Sequence, residues 1–451
     1  MNIFKKYIYQ ILIIFLLGLL IFGYSLNKKS SASKKNEISN LTKQIISKNN
    51  QISKIQINLM LDKKNINEFV NPKNINFIQI VKEKELKNLN NLKFNKYRTN
   101  EILFSGNYGG LGTAYIDFFN NDEELILATV DGIFAYAKMG KIQSFSKIQS
   151  NISDLITYED FYTNDQYGIK DILVNENNLF VSLIGQREKN CHNIKIFKSK
   201  LNKVSLNFEV FYETPECVNR DNDHGYLAHQ GGGGRMIWYN ESIFLTTGEF
   251  RNRPLAQDKG KAYGKILNID LNSKNMKVVS LGHRNPQGLY YSKKYDFIIS
   301  TEHGPKGGDE INLNHKPLDK IKNYGWPISS YGEHYYKNYS EKILSKAPLN
   351  KSHKKFGFEE PIKYFIPSIG ISEIIPLNKE DTEFLVGAMG NEIKDQDLGI
   401  HYIKLNKERK KIINHKFIPL NERVRDMIIS KDKNVIVMFL ETTSSLAILK
   451  K

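Results

Sequence analysis

Six times between residues 101 and 451 one pattern returns: an apolar strand, a two- to four-residue polar turn, and a second alternating strand that ends in small or hydroxyl residues. The copies are "AYIDFFNNDEELILATVDG", "DILVNENNLFVSLIG", "MIWYNESIFLTTGEF", "LYYSKKYDFIISTEHG", "EIIPLNKEDTEFLVGAMG" and "DMIISKDKNVIVMFLETT". Each reads as a hairpin, because turns such as "NENN", "YNES" and "SKDKN" hold residues that tolerate tight-turn backbone conformations. With the second strands placed at Leu125, Leu179, Ile243, Phe297, Phe384 and Val435, the copies lie 54, 64, 54, 87 and 51 residues apart. Such a period accommodates four strands with their loops. A sheet that small buries its faces only against neighbours arranged around a ring, so the repeat predicts an all-β, six-bladed β-propeller over residues 101–451. The 87-residue interval contains "NYGWPISSYGEHYYKNYSEKILSKAPLNKSHKKFG", an aromatic-rich insertion expected at the rim beside the central mouth.

Composition supports strands and removes one class of partner. The 24 Tyr and 25 Phe lean toward β structure. The net charge of +17 is concentrated at one end: residues 1–100 hold 18 Lys or Arg against 5 Asp or Glu, whereas the remainder holds 47 against 43. Without aromatic interleaving in the basic leader, nucleic-acid binding is excluded, and a weak attraction to anionic lipid headgroups is what remains.

The leader opens with Lys5 and Lys6 before an apolar run from Ile8 to Leu26. That run is long enough to cross a bilayer, and its flanking charge places the N-terminus in the cytoplasm. No small-x-small cleavage site follows, so residues 1–28 are read as an uncleaved signal anchor, in preference to a removed signal peptide. Residues 29–100 form a Lys/Asn-rich stalk. Within it Ile38, Leu41, Ile45, Lys48, Ile52, Ile55 and Leu59 follow heptad spacing, which suits either a short coiled coil that oligomerises the chain or a lone helical or flexible tether. The expected location is the inner membrane, single-pass, with the propeller in the periplasm. Cys191 and Cys217 are compatible with that compartment, either as a disulfide or as two unpaired core thiols.

Loops that lead into the innermost strands of a propeller all open on one face, around the axis. Four segments fall there. "HQGGGGRM" sets His229 ahead of glycines that give its imidazole room, and "GHRNPQGL" puts the Arg284 guanidinium among turn formers. "EHGPKGGDEIN" ends a strand at Gly304 and Pro305, whose carbonyls suit a hard cation. "ERVRDM" places Arg423 and Arg425 on one side of a strand, two forks fit for carboxylates. Each has a plainer reading: Arg284 can pin loops by bonding their carbonyls, Gly304–Pro305 can be an ordinary turn, "DEIN" can anchor a loop, and Arg423 and Arg425 can be internal ion pairs.

"GHRNPQGL" followed by "EHGPxxxDEIN" at this spacing resembles the soluble-type glucose/sorbosone (aldose sugar) dehydrogenases, six-bladed propellers that use pyrroloquinoline quinone (PQQ) and calcium. The resemblance covers about three quarters of the chain. It implies that His229 is the general base, that Arg284 faces the reacting quinone carbonyl, and that Glu249 orients the histidine. It further implies that Asn285, Gln287, Arg423 and Arg425 contact the quinone and that Gly304 and Pro305 bind calcium. The implied reaction is oxidation of the anomeric carbon of an aldose to a lactone, with electrons passed to a respiratory acceptor. This chain departs from the pattern at Tyr108, where a Gln is expected, at Ala228, where an Asp is common, and at Gly390, where a Lys normally contacts the cofactor; Lys394 is the nearest substitute. Two other functions fit the same scaffold: a cofactor-less propeller that binds glycans or proteins, and a calcium-dependent lactonase or esterase-like hydrolase.

Overall fold

The computed structural model describes residues 77–89, 92–99, 110–156, 168–219, 232–335 and 339–450, with a few isolated positions before residue 72. The described strands form six sheets, predominantly antiparallel, and each has one strand that lines the axis. These innermost strands are Ala114–Phe119, Gly168–Asn175, Gly233–Tyr239, Pro286–Ser292, Ile371–Pro376 and Val424–Ile429, here blades 1 to 6. All six second strands expected from the hairpin pattern are present, at Glu124–Thr129, Asn178–Glu188, Ser242–Thr247, Phe297–Glu302, Glu383–Ala388 and Val435–Leu440.

The reason for a ring is visible in the burial pattern. The second strands of blades 1 and 3 are buried at every position, on both faces. Such a strand cannot belong to an isolated sheet, because each face needs an apolar neighbour. Separate hydrophobic clusters fill the interfaces: Ile126, Phe134 and Val181 between blades 1 and 2, Phe180, Ile196 and Leu245 between blades 2 and 3, and Phe384, Val386 and Ile299 between blades 4 and 5. Phe439, Leu446 and Leu127 join blade 6 to blade 1 and complete the circle.

The ring starts earlier than the expected boundary at residue 101. Leu92–Arg98 pairs with Ser445–Lys450, the last described strand of the chain, and Val81–Leu89 extends the same sheet. Phe77–Gln79 pairs with Ser144–Ser150 on the outer edge of blade 1. N-terminal sequence therefore supplies the outer half of blade 6. A chain begun at residue 101 lacks these strands and leaves the edge of Ser445–Lys450 open, a template for aggregation. We expect that truncation to yield insoluble protein, whereas one begun before Phe77 stays soluble; size-exclusion chromatography of the two decides.

The anchor at residues 1–28 and most of the stalk, with all of its heptad seam but Leu41, lie outside the described residues. Among the described residues no helix is long and apolar enough to cross a membrane. Of the two readings left open for the cysteines, the structure takes the disulfide: Cys191 and Cys217 are bonded, with Cα atoms 5.4 Å apart, tying the third strand of blade 2 to its short edge strand Val218–Asn219. The insertion leaves blade 4 after Asp309–His315, adds Lys322–Asn323 to the edge of blade 3, and returns as Lys363–Phe365. Trp326 is buried within it.

Candidate functional site

Five of the six innermost strands break register near the start of the strand, at the face where the motif loops converge: between Ile169 and Asp171, Gly233 and Met236, Pro286 and Gly288, Ile371 and Ile374, and Val424 and Asp426. A bulge bends its strand and re-aims the extra residue, and such features gather at the rims of barrels and next to active sites. In blades 2, 4 and 6 the extra residue is single: Lys170, Gln287 and Arg425.

Arg284 sits on the loop just before blade 4. It is 8% exposed, donates through Nη1 to the His303 carbonyl at 3.0 Å, and lies 3.4 Å through Nη2 from the Tyr335 hydroxyl. Trp326 and Tyr335 flank its guanidinium at 5.5 and 5.9 Å from their ring centroids. The loop-pinning role is thus real, and it holds the charge still beside the axis. Asn285 Oδ1 accepts from Gln287 Nε2 at 2.8 Å and from the Gly233 amide at 3.2 Å, so the two amide side chains brace blade 4 against blade 3.

Arg423 and Arg425 both turn toward the Glu441 carboxylate. Arg423 Nε lies 2.8 Å from Oε2, while Arg425 donates through Nε and Nη2 to Oε1 at 3.0 and 2.8 Å. Arg423 also holds the Met389 and Gly390 carbonyls through Nη1. The internal ion-pair reading is therefore present, with Glu441 fully buried. His303 shows that the arginines share one neighbourhood: burial pushes its pKa down to about 4, with Arg284, Arg425 and Arg423 pushing the same way and Asp309 opposing them.

Glu249, expected to orient the base, is 1% exposed just past the second strand of blade 3, which ends at Thr247. Its amide donates to the Arg284 carbonyl at 3.0 Å. Burial raises its carboxyl pKa while Arg284, Arg251 and Arg253 pull it back, and Oε2 has no hydrogen-bond partner among the described residues. His229 itself lies outside the described residues, as do Tyr108 and Ala228. Lys394 is exposed on a three-residue 3-10 turn, Ile393–Asp395.

The Gly304–Pro305 loop is fixed by Asp309. That carboxylate accepts from the amides of Gly304, Ile369 and Ile371, each at 3.0 Å, so the first residue of "DEIN" anchors the loop. The Pro305 carbonyl accepts from Ser368 at 3.3 Å. Glu302 and Glu310 line a narrow pocket beside Gly304 that Arg284 also borders. Each carboxylate meets a buried imidazole, His283 at 2.9 Å and His353 at 3.0 Å. Among the described residues no group of three or more His, Cys, Asp or Glu side chains is arranged to hold a metal.

Further along the axis the strands place a charged plug that sequence reasoning missed. Arg235 lies 2.7 Å from Asp171, 2.6 Å from Glu373 and 2.8 Å from Asp426. The carboxylates also accept backbone amides of neighbouring blades: Met236 for Asp171, Ile116 for Asp426 and Leu289 for Glu373. Burial drives the carboxyl pKa values of Asp171 and Glu373 up, with their mutual repulsion and Asp426 adding to it and Arg235 opposing. Beyond the plug, a cavity of about 300 Å³ opens toward the other end, walled by Ile172, Met236, Ile374 and Met427 among others.

Residues 124–448 match the family model described as glucose/sorbosone dehydrogenase. Aldose sugar dehydrogenase YliI of Escherichia coli (strain K12) is 29% identical over 266 residues, 54% of this chain and 64% of that protein. Quinoprotein glucose dehydrogenase B of Acinetobacter calcoaceticus is 35% identical over 132 residues, 25% of each chain. The chain thus spans less than two thirds of the length of these curated relatives. The crystal structure of the soluble aldose sugar dehydrogenase from Escherichia coli in its apo-form superimposes with a TM-score of 0.60 at 19% identity, over 79% of this chain and 99% of that one, and shows the shared fold.

Proposed function

Because this chain belongs to the glucose/sorbosone dehydrogenase family, we propose that it oxidises the anomeric carbon of an aldose to the lactone with PQQ as its resident hydride acceptor, passing electrons to a respiratory acceptor. The observation that carries this reading is the gathering of Arg284, Arg423 and Arg425 around His303, one cationic face suited to an anionic cofactor. Among the described residues, Arg423 and Arg425 share one ion-pair partner, Glu441. Among the described residues no hydrogen bond engages Arg425 Nη1 or Arg423 Nη2, which would suit a ligand carboxylate, and Asn285 and Gln287 would contact the same molecule from blade 4.

When bound, the quinone supplies an electrophilic carbonyl that accepts hydride, and calcium held by the Gly304 and Pro305 carbonyls would polarise it. Arg284, held by the His303 carbonyl and close to the Tyr335 hydroxyl, would set a fixed positive charge beside the quinone carbonyl. His229 takes the proton of the anomeric hydroxyl, and the open Oε2 of Glu249 is suited to hold that imidazole in the working tautomer. Trp326 and Tyr335 supply aromatic surface beside the reacting centre. The Cys191–Cys217 disulfide supports an oxidising compartment, and the apolar run at residues 8–26 would keep the propeller at the inner membrane facing the periplasm.

The internal pairing of Arg423 and Arg425 with Glu441 favours one other reading, a propeller that binds glycans without a quinone. One assay separates the two. The full chain is mixed with PQQ and calcium, scanned for cofactor absorbance, and supplied with an aldose panel and an artificial electron acceptor. Turnover that falls at least about 1,000-fold in His229→Ala, with the quinone still bound, supports the dehydrogenase. Sugar binding without quinone binding sinks it.

A further inference from the structure

Lys170 stands beside Asp171 in a strand that is otherwise largely apolar, "GIKDILV". The register break between Ile169 and Asp171 makes it the bulged residue of blade 2. Gln287 and Arg425 hold the matching positions in blades 4 and 6, and both stand at the mouth. Ring symmetry therefore aims Lys170 at the same space. The glycine next to it in blade 3 makes room for the stem: a Cβ on Gly234, whose φ is +107°, would lie 2.4 Å from Lys170 Cβ.

The lysine has charged neighbours and, among the described residues, no bond to them. Arg425 and Glu441 both act on it, while among the described residues no hydrogen bond or ion pair engages its ammonium. Burial pushes its pKa down to about 7, Arg425 pushes the same way, and Glu441 opposes them. Three cations, Lys170, Arg423 and Arg425, thus face the single carboxylate of Glu441. An ammonium left partly buried and unpaired is costly, and an anion arriving in the mouth removes that cost.

Gly390, where the family pattern has a cofactor lysine, cannot supply that charge. A Cβ there would sit 1.9 Å from Asp397 Oδ2, and the Asp397 carboxylate is already held by the amides of Asn391 and Glu392. Lys394, the substitute expected from sequence, is exposed on its short turn.

We infer that Lys170 is a ligand-binding residue of the mouth, a point charge that takes a carboxylate of the molecule seated beside Arg425. This rests on the proposed function for the identity of that molecule, which is a tricarboxylate quinone or a sugar that itself carries a carboxylate.

The test uses the full chain with calcium and measures direct binding of PQQ, by quenching of intrinsic fluorescence, and of galacturonate, by calorimetry. Lys170→Met and Lys170→Arg are compared with the unsubstituted protein. Quinone affinity at least tenfold weaker in Lys170→Met and largely kept in Lys170→Arg supports the inference. Removal of an unpaired buried charge leaves the melting temperature of Lys170→Met unchanged or higher, so a fall in affinity reports the site and not the fold. Equal quinone affinity in Lys170→Met overturns the inference and leaves the proposed cofactor standing. Lys170-dependent binding of galacturonate without quinone binding keeps the inference and removes the cofactor. Binding of neither overturns both.

Discussion

Arg235→Met is expected to destabilise the propeller by about 3–5 kcal/mol, measured as the shift in the urea unfolding midpoint at pH 8. Arg235 bonds three carboxylates from three other blades, and all four side chains are buried. Methionine conserves much of the volume, so the loss comes from charge left without its counter-charge. The pH dependence follows from the raised carboxyl pKa values of Asp171 and Glu373. A raised acid keeps in the fold a proton that the unfolded chain has released. That contribution is therefore lost as pH climbs from the ordinary carboxylate range through the raised values. Without the guanidinium the carboxyls hold protons more tightly still, and at pH 5 the fold tolerates them neutral. The defect should shrink from pH 8 to pH 5; a defect of equal size at both values would refute the electrostatic account.

The second large effect is on catalysis. On the proposed reaction, Arg284→Ala lowers kcat roughly 100- to 1,000-fold, the usual loss when one fixed donor to a developing oxyanion is removed. Quinone affinity should fall much less, because Arg423, Arg425 and the blade 4 amides remain. Arg284→Lys is not expected to rescue: the native group bonds the His303 carbonyl while spanning toward Tyr335, a planar reach that an ammonium does not reproduce. Stopped-flow reduction of bound quinone by the aldose isolates this step from reoxidation. A rate unchanged in Arg284→Ala would return the residue to loop pinning alone.

The ring was legible because each blade carries its own signal, an alternating hairpin with a turn that tolerates positive φ, as at Asn240 and Asp296. The strands Val81–Leu89 and Leu92–Arg98 were not. They are rich in Lys and Asn, and their partner Ser445–Lys450 lies far along the chain, so nothing local marks them. The same distinction holds at the mouth. Arg284, Asn285 and Gln287 stood out because they share one compact motif, whereas Lys170 gains its meaning from a bulge and from Arg425 two blades away in the ring. The plug did leave a trace. The innermost strands "GGRMIWY", "ISEIIP" and "VRDMII" each carry a charged residue amid apolar ones, a pattern that makes sense once the charges are seen to meet.

Joining the first ring strands to the last also sets the order in which the molecule can be finished. During synthesis blades 1 to 5 emerge with all their inner strands in sequence and can assemble one upon the next. Leu92–Arg98 must wait until Ser445–Lys450 has left the ribosome. A nascent chain stalled before that strand emerges stays an open arc with an unsealed edge, so the appearance of Ser445–Lys450 doubles as a checkpoint that proteases can read.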